Sequence, residues 1–112
     1  MAVLVIFGAQ SMRAQNRIVI PDTKDYLVLT GDMHMHTIFS DANVWPETRV
    51  EECAAEGVEV LCITDHMEDR HNRMVNQGLF NCDRNKSYEI AAKRGKQLGV
   101  TVIHGGEVTR RM

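Results

Sequence analysis

The chain has 112 residues, 44% of them hydrophobic and 25% charged, which are the proportions of an ordinary globular sequence. Thirteen basic residues against fifteen acidic ones give a formal net charge of −2, which excludes the broad positive field that gathers nucleic acid or anionic membrane. No apolar run reaches the roughly 18 residues of a membrane-spanning helix, and Cys53, Cys62 and Cys82 form no CxxC pair, so they read as free and mostly buried thiols.

Residues 1–16 stand apart from the rest. Ala2 to Ala9 form a short apolar run, followed by a polar segment with the small Ala14 before a possible cleavage point. That is the layout of a secretory signal peptide, except that no Lys or Arg precedes the run. Two readings stand: a signal peptide remnant, which makes the protein periplasmic or secreted, or an N-terminal strand over Ala2 to Phe7 in a cytoplasmic domain. Residues 17–25 read as a linker, and residues 26–112 as one α/β unit.

Tyr26 to Thr30 reads as an apolar strand running into Gly31-Asp32-Met33-His34-Met35-His36. After the Asp41-Ala42-Asn43 loop, Pro46 suits the first turn of a helix, where its missing N–H has no partner to lose. That helix is expected to end near Glu56, with Val50, Cys53 and Ala54 on one face and Gly57 as its C-cap. Val58 to Thr64 is β-branched and apolar, as in a strand buried on both faces of a parallel sheet, and it closes at Asp65 and His66. Met67 to Asn85 is polar and aperiodic, so it is expected to be a long loop. Lys86 to Leu98 returns to helical spacing, with Tyr88, Ile90, Ala91, Ala92 and Leu98 as its apolar residues and Gly99 at its end. Val100 to His104 forms the third strand, before Gly105-Gly106-Glu107. Alternating strands and helices imply a parallel sheet with right-handed crossovers, and such sheets gather function at the carboxyl ends of their strands.

Those ends carry the chemistry. His34 and His36 are two apart, so on a strand both imidazoles project from one face about 7 Å apart at the backbone, and they can grip one metal ion. An isolated HxH more often pairs an exposed histidine with a hydrogen-bonded one. Here the second strand ends at Thr64-Asp65-His66 and the third at Glu107, so three remote stretches present metal-capable groups side by side. Imidazole mixed with carboxylate suits zinc, manganese or iron rather than an all-oxygen calcium or magnesium cage. Asp41 extends the cluster, and a shared carboxylate such as Glu107 can bridge two ions.

Gly31-Asp32-Met33-His34-Met35-His36-Thr37, then Ser40-Asp41, Thr64-Asp65-His66 and Gly106-Glu107, in that order and spacing, resemble the PHP domain, named for DNA polymerases and histidinol phosphatases. The resemblance runs from about Tyr26 to Met112. It implies a partial distorted β/α barrel, about three β/α units of a larger one, with a two- or three-metal cluster that cleaves phosphate esters. By that likeness His34 and His36 bind the first metal, Glu107 bridges, and Asp41 with His66 binds another. Complete PHP domains carry later histidines and a terminal Asp-x-His, so the 112-residue chain is expected to be a truncated portion, inactive alone, with strand three as an open apolar edge.

Asp32 and Asp65, each beside a ligand, are expected to orient imidazoles or else to act as plain strand-end caps. Arg70, His71 and Arg73 follow His66 in the long loop, where they either reach a substrate phosphate or protonate a leaving alkoxide, which would make His71 and Arg70 catalytic candidates, or form a solvated charged surface. His104 is expected to be buried and hydrogen-bonded, Trp45 to be a packing residue, and Met33 and Met35, alternating with the histidines, to face the core. The leading function is hydrolysis of a small phosphomonoester or phosphodiester with a metal-activated water, with no nucleic-acid partner. The alternatives are a polymerase-type 3′–5′ exonuclease module and a non-catalytic metal-binding remnant.

Overall fold

The computed structural model describes residues 20–68 and 83–109. Three parallel strands, β1 (Gly31–Met35), β2 (Val60–Ile63) and β3 (Thr101–His104), lie in the order β1-β2-β3. The connections carry helix α1 (Pro46–Glu56) and helix α2 (Lys86–Leu98), so the α/β alternation expected from the sequence is what forms. The signal-peptide segment, residues 17–19 of the linker, Arg70, His71, Arg73 and Cys82 lie outside the described residues.

The first strand begins later than its hydrophobicity suggests. Asp22 Oδ1 accepts from the Val28 amide at 2.8 Å, and Thr23 Oγ1 accepts from the Tyr26 amide at 3.0 Å, so local side chains take those backbone donors. Pairing starts only where the Glu59 and Val60 amides reach the Thr30 carbonyl. Tyr26, Leu27 and Leu29 are correspondingly exposed, at 76%, 78% and 58%.

Helix α1 has the expected limits: Pro46 opens it and Gly57 closes it in the left-handed region at φ 80°. The Val58 amide donates to Cys53 O and the Gly57 amide to Ala54 O, the two bonds of a Schellman cap that turns the chain into β2. Val50 and Cys53 point inward as expected, and they meet Leu61, Ile63, Ala91 and Val100 in one core cluster. Fully burying a Val, Leu or Ile contributes about 1.5–3 kcal/mol. The exposed Arg94–Glu51 pair that also links the helices, at 2.8 Å, belongs to a class worth about 0.2–1 kcal/mol. The core therefore holds the helices to the sheet. Cys53 and Cys62 are free and buried as expected, and burial pushes the Cys53 thiol up to about 11, which makes it unreactive.

Helix α2 buries a different face from the one its larger residues suggest. Its buried residues are Ser87, Ala91 and Gly95, spaced by four, while Leu98 is 39% exposed. Small side chains let the helix sit close to the sheet. A Cβ on Gly95 would lie 2.5 Å from the Val100 carbonyl oxygen and 2.7 Å from Val102 Cγ2. In an open helix Gly→Ala gains about 1 kcal/mol of propensity, but here the obstacle is backbone and overpacking dominates. Gly95→Ala is expected to lose about 1–3 kcal/mol in urea unfolding followed by circular dichroism, and a variant as stable as the parent would contradict this close approach.

Candidate metal centre

The end of β1 is irregular. Its register with β2 runs Gly31↔Val60 and Asp32↔Leu61, then shifts before Met35↔Ile63, so one extra residue is accommodated around Met33 and His34. A bulge breaks the alternation of period two. Met35 therefore packs against the core while Met33 is 58% exposed, which corrects the expectation that both face inward. Asp32 Oδ1 accepts from the His34 amide at 3.0 Å within this bulge. In the structure this carboxylate caps the backbone at His34.

Asp65 also acts on backbone and hydroxyl donors rather than on a ring. Its carboxylate is buried and accepts from the Thr37 amide at 2.7 Å, Thr37 Oγ1 at 2.7 Å and Ser40 Oγ at 2.6 Å. The Ser40 and Ala42 amides return to the Thr37 carbonyl, closing a tight turn. Helix α1 joins in through Arg49 Nε, which donates to the His36 carbonyl at 3.1 Å. The result is a fixed path from His36 to Asp41. Trp45 lies against Phe39, with centroids 5.7 Å apart, as a packing residue.

Along this path Asp41 Oδ1 comes to 2.6 Å from His36 Nδ1, and Asp41 Oδ2 to 3.5 Å from His66 Nε2. The hydrogen bond from His36, aided by the charge of both imidazoles against a smaller burial penalty, holds the Asp41 carboxyl below the usual carboxylate range. From the other side, parallel pairing continues past β2 and β3 as an isolated bridge between His66 and Glu107, with the Met67 amide donating to Glu107 O and the Glu107 amide to Asp65 O. Glu107 Oε2 then lies 2.8 Å from His36 Nε2 and 3.1 Å from His34 Nε2. Partial burial pushes the Glu107 carboxyl up, but the Thr109 hydroxyl and the three histidines together outweigh it, and the net direction is down.

All five residues named as ligands from the sequence are thus brought together, in two sets of converging donor atoms: His34, His36 and Glu107, and His36, Asp41 and His66. Within each set the donor atoms lie within 4.8 Å of one another. His104 is not among them. It is exposed rather than buried, and stacks on Tyr88 of α2 with centroids 4.4 Å apart, because its register partner Ile63 faces the helix layer. Thr109 and Glu68 were not singled out from the sequence, yet both touch the cluster. Thr109 Oγ1 is 3.1 Å from His66 Nδ1 and 3.0 Å from Glu107 Oε1, and Glu68 Oε2 is 3.5 Å from His66 Nδ1. Each follows a ligand by two positions, the period of extended chain, and that was the signal available.

The donor set fits a divalent cation on one specific observation. Asp41, an acceptor only, faces His36 Nδ1, so Nδ1 carries a proton, and in the neutral ring Nε2 is left with a lone pair. His36 Nε2 is buried without a hydrogen-bond partner, although a carboxylate oxygen of Glu107 lies 2.8 Å away. With that ring neutral, two lone pairs face each other, an arrangement that a cation, or a second ring proton, relieves. Nitrogen and oxygen donors in this mixture suit zinc, manganese or iron.

The Asp65 network yields a stability test. Asp65→Ala strands a buried amide and two buried hydroxyls and is expected to cost about 2–4 kcal/mol of unfolding free energy, with Asp65→Asn costing less. A loss under about 0.5 kcal/mol for the alanine variant, the scale of an ordinary surface change, would mean that Asp65 does not hold this turn.

Comparison with known proteins agrees with the geometry. The family model of the PHP domain matches residues 32–111. A two-domain protein from Bacteroides vulgatus, containing a predicted PHP-like metal-dependent phosphoesterase, superposes with a TM-score of 0.76 at 37% identity over 94% of this chain and 29% of that one. A protein from Bifidobacterium adolescentis, named as a candidate metal-dependent phosphoesterase, shares the fold with a TM-score of 0.55 at 24% identity, over 77% of this chain and 24% of that one. The chain thus spans less than a third of the length of either structure. No curated protein matches it. This chain belongs to the PHP domain family.

Proposed function

We propose that the chain contributes His34, His36, Asp41, His66 and Glu107 as ligands to a cluster of two or three divalent cations, zinc, manganese or iron, in a hydrolase of small phosphomonoesters or phosphodiesters. The observation that supports this most is the convergence of the five side chains in two sets of donor atoms that share His36, whose buried Nε2 is turned toward a carboxylate oxygen without a hydrogen bond. Cations held here supply Lewis-acid charge to a phosphoryl oxygen and make hydroxide available from bound water near neutral pH.

The residues divide the work by their proton placement. His36 uses its Nδ1 proton on Asp41, so it presents Nε2 together with His34 Nε2 and Glu107 Oε2 as one set of donors. Asp41 Oδ2 and His66 Nε2 form a second set on the other side of His36. Glu107 has one oxygen toward the first set and the other toward Thr109 and His66, which makes it the bridging candidate. Asp41 and Glu107 both have lowered pKa values, so both are available as carboxylates at neutral pH. The net charge of −2 supports a small ester over nucleic acid as the substrate.

Zinc or manganese titration of the chain by calorimetry tests the reading. His34→Ala and Glu107→Gln are each expected to weaken binding at least as much as the 10–100-fold typical of lost supporting groups. Any hydrolysis of bis(p-nitrophenyl) phosphate by the metal-loaded protein is expected to vanish in His34→Ala. Turnover that survives this change, or elemental analysis finding no bound transition metal, defeats the proposal.

A further inference from the structure

The hydroxyl of Thr109 has two partners, and both contacts are hydrogen bonds in only one arrangement of a neutral His66 ring. It is 3.0 Å from Glu107 Oε1 and 3.1 Å from His66 Nδ1. A carboxylate accepts and cannot donate, so the single hydroxyl proton goes to Glu107. Thr109 Oγ1 then meets His66 with lone pairs alone, and the contact is a hydrogen bond only if Nδ1 carries the proton. Two carboxylate oxygens also lie near Nδ1, Glu68 Oε2 at 3.5 Å and Glu107 Oε1 at 3.9 Å, and both favour a proton there. With the proton on Nδ1, the lone pair of His66 sits on Nε2, the atom 3.5 Å from Asp41 Oδ2.

We propose that Thr109 is a positioning residue: its hydroxyl, held between Glu107 and His66, selects the Nδ1–H tautomer of His66 and so keeps Nε2 as a donor directed at the Asp41 side of the cluster. A free neutral histidine prefers the opposite tautomer, with the proton on Nε2, so the site has to reverse an intrinsic preference. The backbone of Thr109 is itself restrained, because its amide donates to Glu68 Oε1. Glu68 thus holds the threonine in place and lines the same imidazole nitrogen. One hydroxyl also couples two remote ligands, since it reaches His66 from β2's end and Glu107 from β3's end. The tautomer assignment stands on this geometry alone, whereas its consequence for metal affinity rests on the proposed ligand role of His66.

The test uses the whole chain, metal-free and at about pH 8.5, where an ordinary imidazole is neutral. Nitrogen-15 and carbon-13 chemical shifts of the His66 ring report the tautomer directly. The parent is expected to show Nδ1–H. Thr109→Val, which keeps the shape and removes the hydroxyl, is expected to shift the population toward Nε2–H, and Thr109→Ser to restore the parent pattern. In zinc titrations Thr109→Val is expected to bind about tenfold more weakly, and Thr109→Ser close to the parent. A parent ring protonated at Nε2, or a Thr109→Val ring unchanged from the parent, overturns the proposal. His34→Ala separates the two readings: if it leaves zinc affinity unchanged, the metal centre fails while the ring spectra still decide the role of Thr109. If His34→Ala abolishes binding and Thr109→Val does not weaken it, the role of Thr109 fails and the centre stands.

Discussion

The site depends on parallel pairing between β2 and β3 that keeps its register beyond both strands. Val60 pairs with Thr101, and His66 lies opposite Glu107 at the same separation of 41 residues. Nothing slips between these two points, although the intervening residues include a glycine pair and a buried carboxylate. A shift of one residue would send Glu107 to the other face of the chain. The β1–β2 pairing behaves differently, because it shifts within the strand, and that shift separates Met33 from Met35 and delivers the HxH pair to the strand end. One regular ladder and one interrupted ladder therefore set the three sides of the cluster.

Thr64-Asp65-His66 shows how consecutive residues serve opposite faces of the chain. The carboxylate of Asp65 turns toward the β1–α1 loop and accepts three short hydrogen bonds, while the ring of His66 turns toward Asp41 and Glu107. A buried carboxylate is costly unless its oxygens are satisfied. Here the donors are one amide and two hydroxyls, so the same interactions that satisfy the charge fix the turn between His36 and Asp41. Backbone geometry, rather than direct contact between an acid and an imidazole, is how Asp65 and Asp32 support the cluster.

What the sequence revealed and what it concealed divide along physical lines. Helix α1 was legible at both ends because proline and glycine act locally, through a missing donor and a left-handed backbone. The order of the elements and the five candidate ligands were legible because period and strand-end position do not depend on detailed packing. The start of β1 was not, since Tyr26 to Thr30 has strand composition while Asp22 and Thr23 capture its amides. Nor was the buried face of α2, where closeness to the sheet selects Ser87, Ala91 and Gly95 over the larger Leu98. His104 was misjudged for a related reason: the ring of Tyr88 provides a partner that no spacing rule along one strand could reveal. Thr109 and Glu68 were concealed because a threonine and a glutamate gain their meaning only from the histidine across the bridge.

The three histidines are not equally constrained, and the difference gives the cluster a direction. The side chains of His66 and His36 are 8% and 16% exposed, and each has one ring nitrogen held by an acceptor at its back: Thr109 behind His66 and Asp41 behind His36. His34 is 65% exposed, and the polar contact the structure gives its ring is Glu107, on the cluster side. Rings fixed from behind hold their lone pairs in place before anything binds, and preorganisation of this kind removes an ordering cost from binding. Among the described residues, the cluster is thus held from behind on the Asp41 and His66 side, whereas the ring of His34 is open to solvent and is tied to the cluster through Glu107.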